Sequence, residues 1–157
     1  MFQVGDKVIH WSYGLGEIIK LDEKTLSGQK ARYYVVRVQN LTIWVPLGDD
    51  GKSNLRPPTP KSDFENLFAI LRSPGEPLSN DRLERKMQLM EKMKNGSLEE
   101  ICQVVRDLSF LRREKKLNDH DVAILKRAHD FLIDEWKLSM IVPPAQAERE
   151  LIELLES

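Results

Sequence analysis

The apolar pattern of this 157-residue chain changes period near residue 60, and no other feature limits its fold as strongly. Upstream of that point, four short runs rich in β-branched and aromatic residues, at 7–11, 17–21, 31–38 and 41–46, are separated by Gly14-Leu15-Gly16, by Leu26-Ser27-Gly28 and by Gln39-Asn40. Four or five short strands joined by tight turns predict a small SH3-like or Tudor-like antiparallel β-barrel. The Gly-x-Gly at 14–16 is read as the reversal of a hairpin. A dinucleotide loop would need a third glycine and then a helix N-terminus to hold the pyrophosphate, whereas Glu17-Ile18-Ile19-Lys20-Leu21 reads as another strand. The segment from Gly48 to Pro60, with its paired glycines and its Pro57-Pro58-Thr59-Pro60 end, reads as loop and linker.

Downstream, the period becomes helical. Ser62-x-x-Glu65 has the form of a capping box, and Phe64, Leu67, Phe68 and Leu71 follow at i, i+3, i+4 and i+7. Pro74-Gly75-Glu76-Pro77 ends that helix. A second helix, starting near Asn80 or Asp81, is expected to turn Leu83, Met87, Met90 and Met93 inward and to stop at Asn95-Gly96. A third opens on the capping box Ser97-x-x-Glu100 and carries Ile101, Val104, Val105, Leu108 and Leu111. Asn118 or Asp119 caps a fourth, with Leu125, Ala128, Leu132 and Trp136 on one face. Val142-Pro143-Pro144 breaks it before a short terminal helix marked by Ala147, Leu151, Leu154 and Leu155. The predicted class is therefore α+β in two domains: a β-barrel over 1–60 and a compact all-α domain of four to five helices over 61–157.

Charged residues make up 31% and hydrophobic ones 41%, the balance of a globular chain, and no apolar run approaches the ~20 residues that span a bilayer. The first residues, Met1-Phe2-Gln3-Val4-Gly5, lack a basic and an apolar signal region, and Cys102 is the single cysteine. A cytoplasmic, reducing setting is expected, without a disulfide framework or a multi-cysteine metal site. The net charge of −1 shows that the chain as a whole is no electrostatic match for nucleic acid, so any DNA contact must be local. Residues 1–60 carry eight Lys/Arg against six Asp/Glu, residues 81–137 thirteen against twelve, and the last twenty residues are acidic.

Little points to catalysis. His120 and His129 are nine residues apart on one predicted helix, which is not the i, i+3 or i+4 spacing of a helical zinc pair, and His10 lies in a strand. Asp119-His120-Asp121 reads as a polar helix start, Cys102 as a small buried thiol, and Asp134-Glu135 as a solvated face. No enzyme activity, cofactor, metal or small-molecule substrate is expected.

Two features suit binding better. In Leu41-Thr42-Ile43-Trp44-Val45-Pro46, alternation sets Leu41, Ile43 and Val45 on one face and Thr42 and Trp44 on the other. With the aliphatic face buried, Trp44 is displayed on a strand whose proline suits a sheet edge, a template for a strand from another protein; the alternative is that the linker or the helices cover Trp44. The second feature is Asp81-Arg82-Leu83-Glu84-Arg85-Lys86, where Arg82, Arg85 and Lys86 at i, i+3 and i+4 share one side and suit phosphates. A solvated face balanced by Asp81 and Glu84 fits the same spacing. Arg112-Arg113-x-Lys115-Lys116 closes the third helix, where cations meet the negative dipole end.

Taken together, Val4-Gly5-Asp6-Lys7-Val8, Tyr13-Gly14-Leu15-Gly16, Leu26-Ser27-Gly28, Tyr33-Tyr34-Val35-Val36, the 41–46 strand and Val104-Val105-Arg106-Asp107-Leu108 resemble, in order and over nearly the full length, the CarD/CdnL family of bacterial transcription regulators. The N-terminal module of that family also occurs in transcription-repair coupling factors. The resemblance implies a barrel that docks on the N-terminal lobe of the RNA polymerase β subunit by extending its sheet, through Thr42, Ile43, Trp44, Val45 and Pro46. Lys24 falls where the family often has a basic contact, and Trp44 where it often has arginine. It further implies helices that touch promoter DNA at the upstream edge of the melted bubble and stabilise the open complex, with Arg82, Arg85, Lys86 and Arg113 as the DNA-contacting candidates. Such members commonly place a wedging tryptophan at the start of the second helix, but the aligned position here is Asp81, so polymerase docking carries over and the wedge does not. The alternative reading is a protein–protein adaptor bound to polymerase or to another partner, without direct wedge activity. No membrane partner is expected under either.

Overall fold

The computed structural model describes residues 1–157 and divides into two units, Met1–Pro58 and Thr59–Ser157. In the first, five antiparallel strands form one sheet in the order β4-β3-β2-β1-β5: β1 Lys7–His10, β2 Gly14–Leu26, β3 Gln29–Val38, β4 Leu41–Leu47 and β5 Leu55–Arg56. Alternation drives the burial. Val8, Ile18, Tyr34, Val36, Val38, Val45, Leu47 and Leu55 point into one core, and the Tyr34 hydroxyl accepts a hydrogen bond from the Phe2 backbone N–H at 3.1 Å. Between β2 and β3, Ser27 and Gly28 both have positive φ (52° and 79°), as a two-residue hairpin turn matched to strand twist requires. β5, two residues paired with β1, falls inside the stretch expected to be loop and linker.

The glycines at 14–16 do not make the reversal. The turn lies at Trp11-Ser12-Tyr13, and Gly14 and Gly16 already pair with His10 and Val8 as the start of β2. Gly14 leaves the turn with a φ of 85°. Gly16 is small because β3 crosses close by: a Cβ there would lie 2.7 Å from Val36 Cγ1 and 2.8 Å from Val38 Cγ2. The pairing then slips between Ile18 and Lys20, leaving Ile19 as the extra residue of a bulge.

The second unit holds α1 Phe64–Arg72, α2 Arg82–Asn95, α3 Leu98–Glu114, α4 Asp119–Met140 and α5 Pro144–Glu156. Phe64, Leu67, Leu71, Leu98, Val104, Leu108, Ala128, Leu132, Trp136 and Leu151 belong to its core, with the fully buried Trp136 ring against Phe68 at 5.0 Å between centroids. The capping boxes divide. Ser97 Oγ accepts from the Glu100 backbone N–H and donates to its carboxylate, both at 3.2 Å, while the box expected at Ser62 does not form, because a 3-10 turn at Lys61–Asp63 runs straight into α1.

The motif Val104-Val105-Arg106-Asp107-Leu108 is structural. Arg106 donates to Asp107 Oδ1 (2.9 Å) and to Ser73 Oγ (2.8 Å), and the same Asp107 oxygen accepts from the Glu76 backbone N–H at 2.9 Å. These bonds bind the α1–α2 loop to α3. Gly75 sits over Phe110 where a Cβ would approach to 2.5 Å. Glu135, expected on a solvated face, is instead 2% exposed and accepts from the Thr59 backbone N–H at 2.8 Å, so it caps the chain end entering this unit. α2 departs most from expectation. Arg85, Leu89 and Met93 face inward, while Leu83 (67% exposed), Met87 (65%) and Met90 (42%) face solvent.

Candidate functional site

The hairpin register places β4 on β3 alone, from Val38 opposite Leu41 to Arg32 opposite Leu47, so its other edge is the free edge of the sheet. Its pattern is the expected alternation shifted toward the C-terminal end. Val45 and Leu47 are buried, Ile43 is half-buried, and Leu41, Thr42, Trp44 and Pro46 are exposed. Trp44 is 47% exposed, and within the β unit its ring is displayed beside that edge. Val45 is 3% exposed, so its side chain belongs to the core and offers a partner no surface.

Lys24 comes to Trp44 from β2. Its Nζ lies 5.0 Å from the Trp44 ring centroid and 5.9 Å from that of Tyr33, within cation–π range of both. The Trp44 indole N–H points to Asp22 Oδ2 at 3.4 Å, and that hydrogen bond holds the Asp22 carboxyl below the usual carboxylate range, with Lys20 and Lys24 adding to it. Lys24 and Trp44, singled out separately in the sequence, thus meet in one patch. Tyr33 and Asp22 complete it and were missed by sequence reasoning. They are a directly opposed pair across β2 and β3, and only the register makes them neighbours of a residue on β4.

On the helical unit the expected cationic face breaks up. Asp81 is the N-cap of α2, accepting from the Glu84 backbone N–H at 2.9 Å, and Arg82 behind it is exposed. Arg85 is not available to phosphate. It is 3% exposed and grips Asp121 of α4 in a bidentate pair, Nε to Oδ1 at 3.1 Å and Nη2 to Oδ2 at 2.9 Å, while Nη1 donates to the Ser79 carbonyl. A pair without water between its charges needs this full set of bonds, so Arg85 is a strut between α2 and α4. Lys86 is half-buried. Arg113 is exposed but donates to the Leu155 carbonyl at 2.8 Å, satisfying the C-terminal end of α5.

His10, His129 and Cys102 have structural surroundings. His10 Nδ1 accepts from the backbone N–H groups of Ser12 and Tyr13 at 3.1 and 3.2 Å, which makes it the acceptor that shapes the β1–β2 turn, and burial lowers its pKa. His129 joins α4 to α5 through Glu148 Oε2 at 2.8 Å. The Cys102 thiol is buried and pushed well above its ordinary value by desolvation. No group of three or more His, Cys, Asp or Glu is arranged to hold a metal, and no helix is long and apolar enough to cross a membrane.

Known proteins match both units. The family described as the CarD-like/TRCF RID domain matches residues 2–57, and that described as CarD, C-terminal domain, matches residues 66–152. The chain is similar to the Bacillus subtilis (strain 168) protein named "Putative transcription factor YdeB", at 35% identity over 144 residues, covering 88% of this chain and 92% of that one.

Proposed function

The chain belongs to the CarD-like family, and we propose that it regulates transcription by docking its β unit on the N-terminal lobe of the RNA polymerase β subunit while its helical unit meets upstream promoter DNA and favours the open complex. The observation that carries this reading is the free edge of β4 with Trp44 displayed beside it under Lys24. Unpaired N–H and C=O groups along such an edge give a partner strand its main-chain hydrogen bonds, and the Lys24-Tyr33-Trp44 patch gives it a side-chain anchor. Lys24, Thr42, Ile43, Trp44 and Pro46 are the contact residues of this proposal, with Val45 contributing backbone only.

Calorimetric titration of the chain with the isolated polymerase lobe tests it. Saturable binding that Trp44→Ala weakens by ~1 kcal/mol or more, the level at which an interface residue matters, is the expected result. Absence of binding by the unaltered chain overturns it. A second reading, an adaptor that holds polymerase without engaging DNA, is favoured by one observation: with Arg85 buried and Asp81 at the N-cap, the start of α2 offers phosphate only Arg82 and Lys86.

A further inference from the structure

The outward face of α2 is the least expected surface of the molecule. Leu83, Met87 and Met90 recur at i, i+4 and i+7 and lie 67, 65 and 42% exposed, on a helix whose opposite side is already packed. A row of large apolar side chains in water marks a surface that something covers, and methionines are the side chains that adapt best to a partner. Lys94 continues the row at i+11. In heptad terms Leu83, Met87, Met90 and Lys94 occupy d, a, d and a, the seam of a coiled coil.

The residues beside the seam say which partner fits. Lys86 falls at the g position on one edge, and Glu84 and Glu91 fall at e on the other. In a parallel pair of identical helices, g of one helix faces e of the other five residues further on, so Lys86 meets Glu91 of a second copy, twice by symmetry. In an antiparallel pair like edges meet, and Lys86 would face Lys86 while the glutamates faced each other. Glu84 is already bonded locally, its carboxylate accepting from Ser79 Oγ at 3.1 Å. Lys86 and Glu91, the two charges that a parallel pair requires, make no hydrogen bond or ion pair within the chain. A single lysine at an a position weakens such a seam but fixes its register.

We propose that a second copy of this chain covers the outward face of α2, the two α2 helices running parallel with Lys86 of each paired to Glu91 of the other. The seam is two heptads long, so the association is a transient, concentration-dependent dimer and not an obligate one. It stands apart from polymerase docking, since it uses no residue of the β unit. It does bear on DNA: Lys86 belongs to both surfaces, so the dimer withholds it from phosphate.

Sedimentation equilibrium of the full chain over a wide concentration series tests the proposal, with far-UV circular dichroism confirming that each variant is folded. The expected result is a monomer–dimer equilibrium abolished by Met87→Glu, which puts two charges into the seam. Lys86→Glu should weaken it several-fold, and the double exchange Lys86→Glu with Glu91→Lys should restore it. A chain that stays monomeric throughout overturns the proposal. So does a dimer indifferent to Met87→Glu, or one for which the double exchange is no better than the single change.

Discussion

Arg85 shows how a residue's role can be reversed by a partner far away in sequence. By spacing it belongs with Arg82 and Lys86, but Asp121, 36 residues on, draws it inward and the pair ends at 3% and 2% exposure. The consequence is energetic. Removing one member of a buried ion pair leaves a bare charge without solvent, at about 3–5 kcal/mol, whereas replacing both by apolar groups of similar size is often neutral. Arg85→Met should therefore lower unfolding stability by ~3–5 kcal/mol in urea titrations. Arg85→Met combined with Asp121→Leu should recover most of that loss, and a double variant no more stable than the single one would show that Arg85 contributes by packing alone.

At the scale of the element, the β1–β2 turn depends on the protonation state of one ring. Its two leading backbone N–H groups both donate to His10 Nδ1, which accepts only while that nitrogen is unprotonated, and Trp11 and Tyr13 pack against the ring at 6.0 and 5.2 Å between centroids. Burial sets the folded pKa of His10 below its ordinary 6.5. A lowered histidine pKa means that the unfolded chain takes up the proton first, so the contribution of this turn is complete above pH 6.5 and is lost as pH falls through the folded value. Thermal unfolding followed from pH 8 to pH 5 should show a decline below 6.5 that is smaller in His10→Asn, whose side-chain oxygen accepts at any of these pH values. An equal decline in both would remove His10 as its cause.

At the scale of the whole molecule, charge decides how DNA would be reached under the proposed function. Under that function, a chain of net charge −1 whose helical face offers phosphate an exposed Arg82 and a half-buried Lys86 should bind DNA only weakly by itself, because each neutralised phosphate adds only a small, salt-sensitive increment. In the proposed docking, polymerase holds the chain by its other unit, and the same face would then work at a high effective concentration. Gel shifts over a salt series should show almost no binding of the free chain to promoter DNA. Promoter complexes with polymerase should live longer when the chain is added, and the gain should be lost in Arg82→Glu with Lys86→Glu. A polymerase complex whose lifetime ignores both changes would favour the adaptor reading.

What the sequence determined by itself lies within a few residues of each position. The change of period at residue 60, the Ser97 capping box, the Asn118 cap, the apolar stripes of α1, α3 and α4 and the alternation along β4 depend on neighbours within one or two turns, and all are present in the structure. The resemblance carried by scattered short motifs was legible too, since each motif keeps its place in chain order. What only the tertiary structure decided are the features that need two distant segments at once. The face that α2 buries follows from Asp121 on α4, the smallness of Gly16 from the side chains of β3, and the burial of Glu135 from the Thr59 backbone N–H. The Lys24-Tyr33-Trp44 patch follows from a register that sets three strands side by side. Local propensity cannot weigh a buried charge against a stripe of methionines; only the partner that satisfies the charge does, and that partner is chosen by the fold.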